Sequence, residues 1–434
     1  MFNRKCDKLK LMMFKSCRTL KKNKILFGSV FLCILFVTYF ICIFIETPDP
    51  NNEIVINVNA SYPSDILGTH EPLPDRLLNK KLTFDHVYES RMVGFPPDLK
   101  TFVPAQEVKI ILMWTKWNHL WNTINYYSLQ NGRKQFVDCP NSNCVVTNRR
   151  KYLSKASAVV FHLLDTKYED LPPERNHRQR WIVYNMEPPW LITRHHPSDL
   201  YRFDNLFNWT MGYREDSDIP ARYGFTTKSR YPQSRYYDGV FKNKKRNVVW
   251  LASDCGTDSR REDYVKELQK YIDVDVYGSC GNYTCYPSQS ISCYNTLFKR
   301  YKFYLSFENA ICKDYVTEKF FNVFNSDIIP VVFGAADYSK YAPEGSVVHA
   351  GKYPQPQKMA EKLLEIASKE KLFIGILKKK SAFRAYLDPW PCRLCNKLHS
   401  SKSLSVLKNV EKWHIDDAQC KKWDIDSKTY TEII

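Results

Sequence analysis

Twenty-one consecutive uncharged residues, Ile25 to Ile45 (ILFGSVFLCILFVTYFICIFI), set the first limit on how this chain folds. About 20 apolar residues in a helix match the hydrocarbon thickness of a bilayer. A helix that is apolar on every side does not belong on the surface of a soluble domain. The run therefore reads as a single transmembrane helix. Before it, Arg4, Lys5, Lys8, Lys10, Lys15, Arg18, Lys21, Lys22 and Lys24 stand against Asp7 alone, a local balance of +8. Such positive flanks stay in the cytosol. After it come Glu46, Thr47 and Pro48 rather than a small-residue cleavage site, so the expectation is an uncleaved, type II signal anchor with the rest of the chain in the lumen.

The charge and cysteine usage follow from that topology. Of the net charge of +18 over 434 residues, the flank accounts for 8, and the remaining 10 are spread over a long chain. This argues weakly for an anionic ligand. Nucleic-acid binding has neither a motif nor the right compartment. Ten of the 14 cysteines follow the span: Cys139, Cys144, Cys255, Cys280, Cys285, Cys293, Cys312, Cys392, Cys395 and Cys420. An even number in an oxidising lumen points to disulfides. A zinc site built on Cys392 and Cys395 with Cys420 and His414 or His399 is the less favoured reading, because the segment has no finger-like core. Asn59, Asn208 and Asn282 head N-x-S/T sequons and are candidate glycosylation sites.

Composition divides the chain into a cytosolic tail (1–24), the span (25–45), a stem (46–100), a first α/β region (101–240), a second (241–400) and a cysteine-containing tail (401–434). In the first region, Val108–Trp114, Lys134–Val137, Ala158–Leu164 and Trp181–Tyr184 read as strands, with a helix over Lys151–Lys155. In the second, Asn247–Ala252, Val274–Tyr277, Phe303–Phe307 and Ile328–Phe333 are strands, with helices over Arg260–Tyr271 and Val316–Phe324. Continuous rather than alternating apolar strands imply parallel sheets covered on both faces. The class is α/β, with two Rossmann-like domains facing across a cleft, where ligands sit beyond the carboxyl ends of the strands. Neither GxGxxG nor a Walker loop is present, which removes dinucleotide enzymes and ATPases.

The densest polar cluster is Phe307–Phe320 (FENAICKDYVTEKF). It joins the exit of an apolar strand to the start of a helix, and Glu308, Asn309, Tyr315, Glu318 and Lys319 bring together two carboxylates, an amide, a phenol and an amine. Lys319 adds charge for a phosphate, and Glu318 can accept hydrogen bonds from sugar hydroxyls. Glu187 follows the apolar stretch Trp181–Met186, where partial burial would raise a carboxylate's proton affinity and suit it to general-base work. The pairs Asp216 with Asp218 and Asp273 with Asp275 have D-x-D spacing, but their contexts do not favour an essential metal. Of the many aromatics, Trp117 and Trp190 are the best candidates for exposed glycan-stacking platforms.

Seven segments in order resemble the α1,3-fucosyltransferase family, type II membrane glycosyltransferases of the Golgi, with an invertebrate cast. Phe307–Phe320 resembles its donor signature and Tyr184–Pro189 (YNMEPP) its Met-Glu-Ser-Pro element. Phe207–Ile219 (FNWTMGYREDSDI) is similar to its acceptor-side motif. Val249–Cys255 with Arg261, Tyr264 and Leu268 resembles its donor-domain strand and arginine helix. Val274–Gly278, Tyr341–Ser346 and the Cys392, Cys395 and Cys420 tail complete the set. The matches cover roughly residues 108 to 420.

The resemblance implies an inverting glycosyltransferase of the two-domain B type, GDP-fucose as donor, a GlcNAc of a glycoprotein glycan as acceptor, and no tightly bound cofactor or essential metal. Glu187 is then the catalytic base. Arg261, Asn309, Tyr315, Glu318 and Lys319 bind the donor, with Arg261 chosen over adjacent Arg260 for its spacing to Tyr264. Trp190 and Trp117 lie on the acceptor side. The resemblance implies that Cys392 or Cys395 bridges within the tail, with Cys420 one candidate partner, a strained Cys392–Cys395 bridge the other, and the pairing open. The departure around Pro189 and Trp190 bears on the acceptor, not the class. A glycan-binding protein that lost turnover is the rival from another class; intact Glu187, Arg261, Glu318 and Lys319 argue against it. Innermost N-glycan GlcNAc and antennal GlcNAc remain equally open as acceptors.

Overall fold

A computed structural model describes residues 107–115, 129–196, 199–229, 237, 239–285, 291–402 and 405–432. The apolar run 25–45, the stem, Asn59 and Trp117 lie outside the described residues. Among the described residues no helix is long and apolar enough to cross a membrane.

The first half contains β1 (Lys109–Met113), β2 (Cys144–Thr147), β3 (Ala158–His162), β4 (Arg180–Asn185), helix α1 (Pro189–His195), β5 (Trp209–Gly212) and β6 (Ile219–Pro220). The strands form one parallel sheet in the order β2-β1-β3-β4-β5-β6. Side chains alternate across a strand, and here both faces are buried. Ile111, Ala158 and Val160 join one apolar cluster, while Leu112, Val159 and Phe161 join another on the opposite face. That is why β3 reads as an unbroken apolar run.

After β7 (Phe225–Lys228) and the short α2 (Val240–Asn243), the second half builds β8 (Arg246–Leu251), α3 (Arg261–Leu268), β9 (Val274–Tyr277), α4 (Ile291–Arg300), β10 (Tyr301–Phe307), α5 (Glu318–Phe324), β11 (Ile329–Phe333) and β12 (Val348–His349). Its sheet is also parallel, in the order β12-β11-β10-β8-β9. Pro330 has no N–H to give the ladder, and it stands one position before the stretch of β11 that pairs with β12. Gly278, at φ +98°, closes β9 where an added Cβ would lie 2.5 Å from the Ala252 carbonyl, so the loops after β8 and β9 meet backbone to backbone.

The remaining elements are α6 (Pro356–Ser368), α7 (Glu370–Ser381), β13 (Phe383–Tyr386), α8 (Trp390–Ser400), α9 (Val410–His414), β14 (Lys421–Asp424) and β15 (Thr429–Glu432). They cross between the halves. α8 packs on the first sheet, and Val410 and Trp413 of α9 join the first half's outer cluster. Trp423 of β14 returns to the core of the second half, with its indole N–H donated to the Pro354 carbonyl at 2.9 Å. One apolar cluster runs without a break from Ile182 and Met211 through Tyr213, Tyr223 and Tyr315 to Phe320 and Tyr341, joining the two sheets.

Several sequence expectations change here. All ten cysteines after the apolar run are bridged, as Cys139–Cys392, Cys144–Cys395, Cys255–Cys280, Cys285–Cys293 and Cys312–Cys420. Cys392 and Cys395 thus do not bridge within the tail. α8 lies against the turn around Phe136 and against β6, so its cysteines face Cys139 and Cys144. Cys144, Cys395 and His399 form the one potential metal-binding group among the described residues, but its sulfurs are already spent on the disulfide and His399 Nε2 lies 3.1 Å from the Asn143 carbonyl. Lys134–Val137 is a 3-10 turn rather than a strand, held by the Gln135 side chain, which donates to the Gln130 and Gly132 carbonyls. The helix predicted to Tyr271 stops at Leu268; Tyr264, Val265 and Leu268 are buried, and Tyr271 is exposed.

Candidate active site

The carboxyl ends of β4 and β10 supply the site. β4 ends at Asn185, and Glu187 follows two residues later. Its carbonyl accepts from Asn185 Nδ2 at 2.8 Å, and the preceding Met186 carbonyl accepts from the Tyr223 hydroxyl at 2.9 Å. Pro188 then fixes the chain and α1 begins at Pro189, the N1 position where the missing N–H costs nothing. Glu187 is partly buried. Burial raises its pKa, the negative charge of Glu318 raises it further, Lys319 opposes this, and Asp254 adds a smaller upward push. These interactions place a first-half carboxylate within electrostatic reach of three second-half side chains.

On the second half, β10 ends at Phe307, and Glu308 is completely buried. Its two oxygens accept from the Thr317 N–H at 2.8 Å and the Thr317 hydroxyl at 2.7 Å. Thr317 is in turn the N-cap of α5 and accepts from the Lys319 N–H. The Lys319 ammonium lies 3.0 Å from Glu318 and 3.5 Å from Glu308, so one cation bridges two carboxylates. Burial pushes the Glu308 pKa up. For Glu318, burial also pushes up, but Lys319 outweighs it and the net shift is down. For Lys319, burial pulls down, and the two carboxylates outweigh it and hold the amine protonated. Glu318 keeps about a third of its side chain exposed (32%) and Lys319 keeps 23%, so both remain open to a ligand.

Asn309 accepts from the buried Tyr315 hydroxyl at 3.1 Å and donates to Asp254 at 3.4 Å. The Tyr315 ring packs edge-on against Tyr213 of the first half at 4.9 Å. Arg261 differs from a free anion-binding arginine. It is 2% exposed and donates to the Phe307 carbonyl at 2.8 Å, the Asp254 carbonyl at 2.8 Å and Glu262 at 3.0 Å. It lies beneath the strand ends, and its positive charge is felt by Lys319. Arg260 points outward, 60% exposed.

Other expected residues fare differently. Trp190 is not an open platform: it packs half-buried against the core with its indole N–H covered, and Arg194 lies over its ring at 4.5 Å. Asn208 is 5% exposed, and its amide is engaged by Arg175, the Trp181 N–H and the Ser405 carbonyl, so the sequon cannot carry a glycan in the folded chain. Asn282 is exposed. Asp216 is held by Arg214 and Lys313, Asp218 by Thr210 and Lys397, and Asp275 by Arg246 and Tyr301. Sequence reasoning did not single out Asn185, Asp254, Glu308 or Thr317 as site members. Glu308 and Thr317 lie inside the quoted cluster; their pairing across nine residues becomes visible only once the strand exit and helix start are folded together.

The family models divide the chain at the same place as the two halves. The family models "Fucosyltransferase, N-terminal" and "Glycosyltransferase family 10 (fucosyltransferase) C-term" match residues 106–224 and 241–413. The chain is 32% identical over 362 residues to "Glycoprotein 3-alpha-L-fucosyltransferase A" of Drosophila melanogaster, covering 81% of this chain and 65% of that one. It is 32% identical over 324 residues to "Alpha-(1,3)-fucosyltransferase C" of the same organism, covering 68% and 74%. Among solved structures it is similar to "Crystal Structure of alpha1,3-Fucosyltransferase with GDP-fucose", at 16% identity and a TM-score of 0.47 over 74% of this chain and 97% of that one. With both family models matched in order over the two halves, the chain belongs to the fucosyltransferases of glycosyltransferase family 10.

Proposed function

We propose that this chain is an inverting, GDP-fucose-dependent α1,3-fucosyltransferase that acts on a GlcNAc residue of a glycoprotein glycan. The observation that carries the reading is the raised pKa of Glu187, to which the charges of Glu318 and Lys319 from the other half contribute, beside the Glu318–Lys319 pair itself. The relatives named as glycoprotein 3-alpha-L- and alpha-(1,3)-fucosyltransferases supply the linkage and the acceptor class.

In the proposed reaction, the GlcNAc 3-hydroxyl loses its proton to the Glu187 carboxylate as its oxygen attacks the anomeric carbon of fucose. The bond from that carbon to the β-phosphate oxygen breaks, and GDP leaves with the electron pair. A carboxylate with a raised pKa is the better proton acceptor at neutral pH. The leaving diphosphate gains charge in the transition state, and the part-exposed Lys319 ammonium is the cation that meets it, with Arg261 beneath the strand ends adding to the local potential. Glu318, Asn309 and Tyr315 orient the donor. No metal is part of the proposal.

The location proposed is the Golgi membrane, with a single type II span at residues 25–45, residues 46–100 as stem and the catalytic part in the lumen. The apolar run and its basic flank support it. The test is transfer from GDP-fucose by the full-length chain to a panel of core and antennal N-glycans, with linkage read by mass spectrometry. The expected product is an α1,3-fucosylated GlcNAc with release of one GDP. Glycan binding with no GDP release would sink the enzyme reading.

A further inference from the structure

Before β14 returns to the second half, the chain crosses to the first sheet, where α9 ends against Asn185, two residues before Glu187. α9 is tied down there at several points. Leu407 and Asn205 exchange backbone bonds with Phe207 and Leu407 at 2.8 and 2.9 Å, Val410 N donates to Asp204 at 2.8 Å, and Arg214 donates to the Trp413 carbonyl. Gly212 leaves the room this needs: a Cβ there would lie 2.7 Å from the Asn185 carbonyl and 3.7 Å from the Trp413 ring.

At the end of α9, the His414 ring is 3% exposed and its Nε2 lies 2.9 Å from Asn185 Nδ2. The same amide nitrogen donates to the Glu187 carbonyl at 2.8 Å. A carbonyl only accepts, so it fixes which end of the Asn185 amide faces it. Both amide hydrogens are then spent, one on Glu187 and one on His414. Nε2 must be the unprotonated nitrogen, with the ring proton on Nδ1. Among the described residues Asn185 Oδ1 is buried without a partner, so the amide is oriented through its donors alone. Glu187 itself precedes Pro188, which narrows its backbone to extended conformations. One hydrogen bond to its carbonyl therefore sets the peptide that carries the carboxylate.

We propose that His414 is a positioning residue for the Glu187 carboxylate, acting through Asn185, so that the C-terminal segment forms part of the catalytic apparatus of the first half. The inference rests on Glu187 being the base. His414 does not touch substrate. It supplies the acceptor that keeps the Asn185 amide, and with it the Glu187 peptide, in a single orientation. Displacing a reacting group by about 1 Å costs up to ~10²-fold in rate.

The experiment compares variants of the full-length chain in detergent for kcat, KM for GDP-fucose, GDP affinity and melting temperature. His414→Phe keeps a ring and removes the acceptor. Its kcat is expected to fall about 10-fold with GDP affinity within roughly twofold of the parent. His414→Gln places an amide oxygen where Asn185 can donate, and it should recover kcat to within about threefold. Asn185→Ala should fall at least as far as His414→Phe, and the double variant no further, because both act on one path. Wild-type kcat in His414→Phe, or multiplying losses in the double variant, would overturn the proposal. So would a loss that simply follows melting temperature and GDP affinity, with no recovery in His414→Gln. Glu187→Gln separates the two levels: normal transfer in that variant removes the base reading itself, whereas an inactive Glu187→Gln beside a fully active His414→Phe removes only the positioning role.

Discussion

A base that takes a proton from a sugar hydroxyl has to be more basic than an ordinary carboxylate yet still ionised when substrate arrives. For Glu187, the proposed base, burial and then the charge of Glu318 raise the carboxyl pKa, and Lys319 opposes the shift. Glu187→Gln keeps the shape and removes the basic oxygen. Its turnover is expected to fall about 10²-fold or more, while GDP affinity measured by calorimetry stays unchanged because the proposed donor contacts lie on the other half. Lys319→Ala is expected to do the opposite in binding, weakening GDP by roughly 1.5–3 kcal/mol, the scale of a charged hydrogen bond. It should also leave Glu318 and Glu308 facing each other without their cation. His414 gives a third expectation. Burial, then the nearby Arg214 guanidinium, lower its pKa from 6.5 to about 3. Arg214 is partly balanced by Asp216 and Asp417. As pH falls below 6.5 the unfolded chain takes up this proton before the folded one. The stability is therefore intact above 6.5 and drains away towards pH 3, at up to ~1.4 kcal/mol per pH unit. Melting temperatures between pH 7.5 and 5 should fall less steeply in His414→Gln than in the parent. Glu187, Glu318 and Lys319 were legible in the sequence because each stands at the end of an apolar strand or the start of a helix. His414 and Asn185 were not: 229 residues separate them, and no local pattern joins them.

Among the elements, the long apolar strands could be read directly because both faces of each sheet are covered. β2 could not. Its four residues, Cys144–Thr147, sit at the sheet edge behind a turn-rich stretch and look like part of a cysteine loop. The tail pairing was misread for a related reason. Cys392 and Cys395 are one helical turn apart on α8, which aims both at the first sheet rather than at each other or at Cys420. These bridges hold an element made late in the chain against a turn and a strand, at Cys139 and Cys144, made early. Replacing Cys144 and Cys395 together by serine is expected to cost about 2–5 kcal/mol, read as a lower denaturation midpoint, with folding at 37 °C at risk. The same double change at Cys285 and Cys293 opens a loop of only eight residues and should cost less.

For the whole molecule, the expected topology can be checked without activity. A tag before Met1 should be cut by protease added to intact microsomes and a tag after Ile434 should survive; the reverse pattern would refute the type II reading. The crossing of residues 390–432 between the halves also has a consequence in time. Cys139 leaves the ribosome 253 residues ahead of Cys392, and Cys144 runs 251 ahead of Cys395. At about 5–20 residues per second, that is roughly 13–50 s of synthesis. With the proposed luminal topology, two thiols five positions apart spend that interval in an oxidising compartment, where each is the other's nearest partner in sequence. Release from that early loop requires exchange with a helix not yet made. The order of manufacture and the order of assembly are therefore inverted, and a polypeptide released between β12 and α8 carries every strand of both parallel sheets but not the helix whose cysteines meet Cys139 and Cys144.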